Sequence, residues 1–171
     1  MSGAGATGKP SEDTRSAGCA AEDTPMKILL AIDGSGCSER AVESVARRPW
    51  PAGSQIKIVS AISTHVPVTP DPLVLYVGFR DELMEAERTR ARATLDRAVA
   101  RLRAGSGAGL QVEVKVLEGN PKRVIIEEAE SWGADLIVVG SHGYAGVERW
   151  LLGSVAQAVA SHAPCSVEII R

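Results

Sequence analysis

The stretch MKILLAIDGSG, residues 26–36, joins a run of five apolar residues to a short polar turn that is rich in glycine. A second stretch of the same kind, ADLIVVGSHG, covers residues 134–143. Continuous apolar runs of this length, bounded by turn residues, are typical of strands that are covered on both faces, as in a parallel sheet. We therefore expect both stretches to lie side by side at the centre of one sheet.

Short apolar runs alternate with longer amphipathic ones from residue 26 onward, and this alternation indicates repeated βαβ units. Five strands are predicted, at 27–32, 55–62, 110–117, 134–139 and 166–170, with about four helices between them. The clearest helix runs from Asp81 to Leu102, with apolar residues at helical spacing. Another helix begins at Asn120 and Pro121, an N-cap followed by proline at the first helical position, and ends at Gly133.

The pattern of apolar and polar residues in each strand predicts the order of the strands in the sheet. Valines of the third strand alternate with Gln111, Glu113 and Lys115, and Glu168 interrupts the apolar fifth strand, so both suit the edges of a sheet. With the first and fourth strands central, the order is 3-2-1-4-5, an α/β fold with a doubly wound open parallel sheet. Ligands of such sheets bind at the switch point, at the carboxyl ends of the first and fourth strands. Those ends are Asp33 and Gly140.

Composition excludes several classes of protein. The chain of 171 residues suits one domain, and 44% hydrophobic residues with only 4% aromatics imply an aliphatic core. A net charge of −2 does not predict the basic surface that binding to nucleic acid requires. No apolar run approaches the roughly 20 residues that span a membrane, and no secretory signal is visible, so no membrane association and a cytoplasmic location are expected. Residues 1–25 are predicted to be a disordered tail, and residues 26–171 the domain.

Cysteine and histidine do not suggest a metal site. The three residues of each type fall in no CxxC pattern and no helical ligand pair, and they are Cys19, Cys37, Cys165, His65, His142 and His162. We expect no structural metal, and thiols that are buried or incidental.

Two glycine-containing turns are candidates for anion binding. The first, from Asp33 to Glu39, lacks the third glycine of GxGxxG, and no GxxxxGK[ST] occurs in the chain, so neither common nucleotide motif is present. The second turn, Gly140 to Gly143, is followed by Gly153 and Ser154 at the start of a predicted helix. Glycines let the backbone approach an anion, and a helix N-terminus stabilises negative charge. This arrangement predicts phosphate binding.

The spacing of these residues resembles the G-x2-G-x9-G-[ST] pattern of ATP-binding universal stress proteins. The resemblance extends from residue 26 to residue 171, including the stretches 32–35 and 162–165. It implies a Rossmann-like fold similar to that of the adenine-nucleotide α-hydrolases, and ATP as the ligand, with Mg²⁺ as an optional companion of the triphosphate. It also implies a homodimer formed through the edge of the fifth strand.

Carried over by position, the resemblance implies that Asp33 contacts the ribose or adenine and that Ser60 or Ala61 lines the base pocket. The phosphates would be held by Gly140, Gly143, Gly153 and Ser154. Neighbouring contacts would come from Ala31, Ser141, His142 and Val155. Arg149 either neutralises phosphate charge or forms a solvated pair with Glu148.

Structural alternatives stay open for three of these residues. Asp33 is also suited to an N-cap or Asx turn, and Ser154 with Gln157 matches a helix capping box. His142 is either a general base or a turn residue, and the turn residue is favoured because nothing in the sequence orients the ring for catalysis. No residue is assigned a catalytic role, because no general base with an orienting partner is evident.

The leading hypothesis is a cytoplasmic ATP-binding module for stress or signalling, in which the nucleotide changes the conformation of residues 144–152 and hence partner contacts. The protein is then not a dedicated enzyme, and hydrolyses ATP slowly at most. One alternative is a dimeric scaffold that needs no nucleotide. Another is an ATP-using enzyme of similar topology, although the chain has little length left for an acceptor pocket.

Overall fold

The computed structural model describes residues 24–63, 77–105, 110–143 and 152–171, with the side chains of the second helix described from residue 81. Its strands are β1 (Lys27–Ala31), β2 (Gln55–Ile62), β3 (Gln111–Glu118), β4 (Leu136–Gly140) and β5 (Ser166–Ile170). Its helices are α1 (Gly36–Arg47), α2 (Val77–Ala104), α3 (Pro121–Trp132) and α4 (Ser154–His162). Most of the predicted tail and Arg149 lie outside the described residues.

All strand pairs are parallel, and the sheet order is β3-β2-β1-β4-β5, which confirms the predicted order. The central pair aligns Ile28 with Leu136 and Ala31 with Val139. In β1, Ile28, Leu29 and Leu30 have no exposed surface, as expected of a strand covered on both faces.

Helices cover both faces of the sheet. One hydrophobic cluster joins β1 and β2 to α1 and α2, and its fully enclosed members include Ile56, Ile58 and Leu102. The other joins the opposite face to α3 and α4, with Ile137 and Val159 at its centre. The domain therefore has two aliphatic layers, and the ends of its strands remain open between the helices.

Helix α3 begins and ends where the sequence predicts. The Asn120 side chain accepts a hydrogen bond from the Lys122 N–H at 3.0 Å, and Gly133 ends the helix with φ of 69°. The Ala134 N–H still bonds to the Ala129 carbonyl at 2.9 Å. Because Ala134 completes this helix end, β4 begins at Leu136, two residues later than predicted.

A buried ion network links β2, β3 and α3. The Lys57 ammonium lies 2.9 Å from one Glu128 carboxylate oxygen, and the Lys115 ammonium lies 2.7 Å from the other. Lys57 also contacts Glu113 at 3.2 Å and lies 4.8 Å from the centre of the Trp132 ring. The side chains of Lys57 and Glu128 are each only 8% exposed. Because both charges are buried, the stability of this region depends on their pairing.

The network shifts the pKa of both buried groups. Burial alone would raise the pKa of Glu128, but hydrogen bonds from Lys115 and Lys57 outweigh it and the pKa is lowered. Burial likewise opposes the charge on Lys57, but hydrogen bonds to Glu128 and Glu113 raise its pKa overall. Both residues are therefore held in their charged forms.

No helix within the described ranges is long and apolar enough to cross a membrane.

Candidate functional site

The turns after β1 and β4 meet at the switch point of the sheet. A Cβ atom placed on Gly143 would lie 2.6 Å from the Asp33 Oδ2 atom, and the Ser35 hydroxyl donates to the His142 carbonyl at 3.2 Å. These contacts join residues more than 100 positions apart in the sequence. The predicted proximity of the two turns is confirmed.

Asp33 forms an Asx turn, which the sequence left open as an alternative to ligand binding. Its Oδ1 atom accepts the Ser35 N–H at 2.9 Å, whereas Oδ2 faces Gly143. The residue is exposed at the mouth of the crevice. Since the turn uses one carboxylate oxygen, the other can still accept a hydrogen bond from a ligand hydroxyl.

Ser35 connects the two turns, a role that the sequence interpretation missed. Its buried hydroxyl oxygen accepts the Ser38 N–H at 3.3 Å as the N-cap of α1, and its proton goes to the His142 carbonyl. The available signal was a serine immediately before a helix, which predicts the cap. The second contact depends on tertiary structure and has no local signal.

Gly140 is required by packing. A Cβ on this residue would lie 2.8 Å from both the Cys37 carbonyl carbon and the Ser38 backbone nitrogen. The backbone atoms of α1 cannot move aside for an added side chain, whereas the end of a flexible side chain can. The absence of a side chain here lets α1 pack directly against the end of β4.

The N-terminus of α4 lacks a side-chain cap, so the capping-box interpretation of Ser154 is wrong. Gly153 is the N-cap residue, and Ser154 is already the first helical residue, one position too late for capping. The Gly153 N–H bonds to the Ser141 carbonyl at 2.7 Å, so it is not a donor for a ligand. The Ser154 hydroxyl is exposed, and the N–H groups of this first turn have no intrahelical acceptor. An anion would find donors there.

Ser141 and His142 form a short polar chain with Cys37. The buried Ser141 hydroxyl lies 3.0 Å from the His142 Nδ1 atom and donates to the Cys37 sulfur at 3.6 Å. The Arg40 guanidinium donates to the same sulfur at 3.0 Å. The His142 Nε2 atom is buried and has no hydrogen-bond partner among the described residues.

Residues at the ends of the strands form the floor beside these turns. Ala31 is buried and is the last residue of β1, opposite Val59 of β2. Ser60 and Ala61 continue β2 beyond that point; Ser60 is buried and Ala61 is half-buried. Val155, in the first turn of α4, is half-buried and packs on the second hydrophobic cluster.

Positive charge lies beside the crevice. A groove of about 1300 Å³ runs over α1 and α2 and reaches the crevice at Ile32 and Gly34. Its lining carries six arginines and two glutamates, in a chain whose net charge is −2. No three His, Cys, Asp or Glu side chains cluster as a metal site in this part of the chain. Arg40 is the cation of this lining that contacts Cys37 beside Ser141.

Solved structures share this arrangement of strands and helices. The universal stress protein UspA from Lactobacillus plantarum matches with a TM-score of 0.70 and 24% identity, over 85% of this chain and 97% of that one. A universal stress protein in complex with cAMP matches with a TM-score of 0.57 and 26% identity, over 85% and 96%. The Archaeoglobus fulgidus universal stress protein in complex with dAMP matches with a TM-score of 0.58 and 26% identity, over 85% and 98%.

Sequence relatives cover the same region. Universal stress protein Sll1388 of Synechocystis is 31% identical over 156 residues, which span 85% of this chain and 97% of the relative. Universal stress protein YxiE of Bacillus subtilis is 30% identical over 149 residues, which span 85% and 98%. The family model for universal stress proteins matches residues 25–171. Fold and sequence thus agree, and the chain belongs to the universal stress protein family.

Proposed function

We propose that the crevice binds an adenine nucleotide, ATP in particular, and that the protein acts as a nucleotide-dependent module for stress or signalling in the cytoplasm. The observation that carries this proposal is the convergence of three features at the switch point. These are the exposed carboxylate of Asp33, the glycine at position 143 beside it, and the uncapped N-terminus of α4 that follows Gly153.

The chemistry of these groups suits the two ends of a nucleotide. A carboxylate accepts hydrogen bonds, so Asp33 fits the ribose hydroxyls and would repel phosphate. The first turn of α4, with the Ser154 hydroxyl and open N–H groups, fits the phosphates. Mg²⁺ bound to a triphosphate would be carried by the nucleotide, since it usually binds through phosphates and few protein ligands.

Complexes of related proteins support an adenine ligand but differ from the ATP prediction in phosphate number. The two structures above are complexes with cAMP and dAMP, each of which has one phosphate. In this chain the open first turn of α4 favours a longer phosphate chain. Titrating ATP, AMP and cAMP in parallel would rank them, and ATP is expected to bind most tightly.

Gly143→Val and Gly153→Val are expected to weaken ATP binding at least about tenfold, equal to about 1.4 kcal/mol. A side chain at 143 displaces the Asp33 carboxylate, and one at 153 meets the Ser141 carbonyl oxygen at 2.9 Å. Isothermal titration calorimetry with ATP and Mg²⁺ measures the effect. The matched control is Gly133→Asn at the opposite end of the sheet, where asparagine tolerates the left-handed backbone and nothing lies within 4 Å. Wild-type affinity in both valine variants would exclude the crevice.

We also propose that two copies pair through the outer edge of β5. The Ile170 carbonyl accepts the Ser141 N–H at 2.6 Å, so polar backbone groups of alternate residues, Val167 and Ile169, point away from β4. An unpaired edge of this kind can be satisfied by a twofold copy.

Ile169→Pro is expected to convert a dimer to a monomer, because proline removes an outward N–H while leaving the bonds to β4 intact. Light scattering after size-exclusion chromatography gives the mass directly. Ile169→Ala, which keeps the N–H, is the control and should remain dimeric. A monomeric wild type, or a dimeric proline variant, would contradict pairing through this edge.

A further inference from the structure

We infer that the arginine-lined groove over α1 and α2 is a docking surface for an acidic protein segment, and that the Arg40 and Arg97 side chains bind the carboxylates of that segment. Helices α1 and α2 cover one face of the sheet, whereas α4, where the phosphates of a nucleotide are proposed to bind, covers the other. The inference therefore stands or falls independently of nucleotide binding.

The first observation is the excess of positive charge in the groove. Its lining has six arginines against two glutamates, an excess of four positive charges, in a chain whose net charge is −2. One of these arginines, Arg48, donates two hydrogen bonds to Glu168 of β5, at 2.8 and 2.6 Å. Three positive charges remain in excess after this pair is discounted. A surface of one sign attracts segments of the opposite sign and accelerates their association.

The second observation is that the groove holds a carboxylate of its own. One oxygen of Glu43 accepts a hydrogen bond from the Arg47 guanidinium at 2.5 Å, and the other accepts from the Arg101 Nε atom at 3.2 Å. Because Arg47 belongs to α1 and Arg101 to α2, this Glu43 cluster joins both sides of the groove. The hydrogen bond from Arg101 lowers the pKa of Glu43, so the groove favours an ionised carboxylate.

The third observation concerns Arg40 and Arg97, which lie about one turn nearer the amino ends of α1 and α2 than the Glu43 cluster. Both side chains are exposed and line the groove. Their partners among the described residues are neutral: Arg40 donates to the Cys37 sulfur at 3.0 Å, and Arg97 to the Thr94 hydroxyl at 3.3 Å. A guanidinium has five N–H donors and pairs most strongly with a carboxylate. Each of these arginines can therefore accept a carboxylate from a partner.

The rest of the lining favours a peptide over a nucleic acid. Three apolar side chains that are less than a tenth exposed also line the groove, namely Ile32, Val42 and Ala98. The carboxylates of Glu39 and Glu43 would repel the continuous phosphates of a nucleic acid strand. A peptide can instead place its acidic side chains at the arginines and its small apolar ones on the apolar part of the lining.

Fluorescence anisotropy with a labelled peptide that alternates glutamate and alanine tests this inference. Helix α1 rises about 10 Å from Arg40 to Arg47, which about four extended residues cover, so a peptide of about ten residues is long enough. Arg40→Gln combined with Arg97→Gln is expected to weaken binding about fivefold or more. Glu43→Gln should strengthen binding about twofold or more, because it removes the carboxylate that competes for Arg101.

Arg92→Gln combined with Arg103→Gln is the matched control. It removes the same charge from exposed positions of α2 outside the groove, and should leave affinity within about twofold. Thermal unfolding verifies that every variant is folded. The inference is overturned if the wild type does not bind the peptide, if the Arg40 and Arg97 variant binds as well as the control, or if Glu43→Gln weakens binding. Tighter binding of a single-stranded oligonucleotide of similar length would also overturn it.

Discussion

Glu128→Ala is expected to lower the free energy of unfolding by about 3–5 kcal/mol, as removal of one partner of a buried ion pair typically does. Glu128 is the acceptor for both Lys57 and Lys115, and without it the buried Lys57 ammonium would keep the more exposed Glu113 as its carboxylate partner among the described residues. Urea unfolding followed by circular dichroism measures the loss.

Two comparisons separate this effect from ordinary truncation. The double variant Lys57→Met with Glu128→Leu removes both buried charges and should recover most of the stability, because apolar replacements of a buried pair are often neutral. Glu43→Ala removes exposed ion pairs with Arg47 and Arg101 and should cost much less than Glu128→Ala. A loss in Glu128→Ala no larger than that in Glu43→Ala would contradict a structural role for the network.

The same network gives the protein a predictable response to pH. The pKa of Glu128 is lowered in the folded state, so its contribution is fully present above the ordinary glutamate range and is lost as the pH falls through the lowered value. The raised pKa of Lys57 acts in the opposite direction, and its contribution is lost as the pH rises through the folded value. The stability advantage of the wild type over the apolar double variant should therefore shrink towards acid.

Gly140→Val is expected to destabilise the fold by about 3 kcal/mol or more, through overpacking against the backbone of α1. Nucleotide binding should be lost together with stability, because α1 and its turn would have to move away from β4. This joint loss distinguishes Gly140 from Gly143, where the first atom met is the end of the Asp33 side chain and binding should suffer more than stability.

Thermal unfolding and calorimetry on the same preparations test the distinction. Gly36→Ala is the matched control, since a Cβ there would meet nothing closer than an Arg40 side-chain nitrogen at 3.7 Å. It should unfold at or above the wild-type temperature. A Gly140→Val variant as stable as Gly36→Ala would mean that α1 does not pack against β4 in this way.

Much of the fold could be predicted from the sequence because the central strands are continuously apolar, whereas polar residues interrupt the edge strands. The apolar runs at 28–32 and 136–139 marked strands covered on both faces, and the alternation around Glu113 and Glu168 marked the edges. Caps at Asn120 and Gly133 could be predicted for the same reason, since their partners lie within a few residues. Local patterns were sufficient wherever the stabilising contact was local.

Contacts between distant residues could not be predicted in this way. Lys57 follows Ile56 and precedes Ile58 in a buried strand, and its acceptor Glu128 lies 71 positions away. At the start of α4 the Gly153 N–H bonds to the Ser141 carbonyl, 12 positions earlier, and Gly153 rather than Ser154 is the N-cap. The contacts from His142 Nδ1 to the Ser141 hydroxyl and from that hydroxyl to the Cys37 sulfur join the turn after β4 to α1. Each of these features needed the assembled sheet.

The pairing of β1 with β4 also governs the order in which a growing chain can acquire the crevice. Asp33 and Gly153 are separated by 120 positions, and β1 gains its second neighbour only when residues 136–140 are available. At ordinary rates of synthesis, about 5–20 residues per second, Gly153 is synthesised roughly 6–24 s after Asp33. Until residues 136–140 are available one edge of β1 lacks the partner strand β4, and any ligand that needs both turns can be held only after Gly153 has been synthesised.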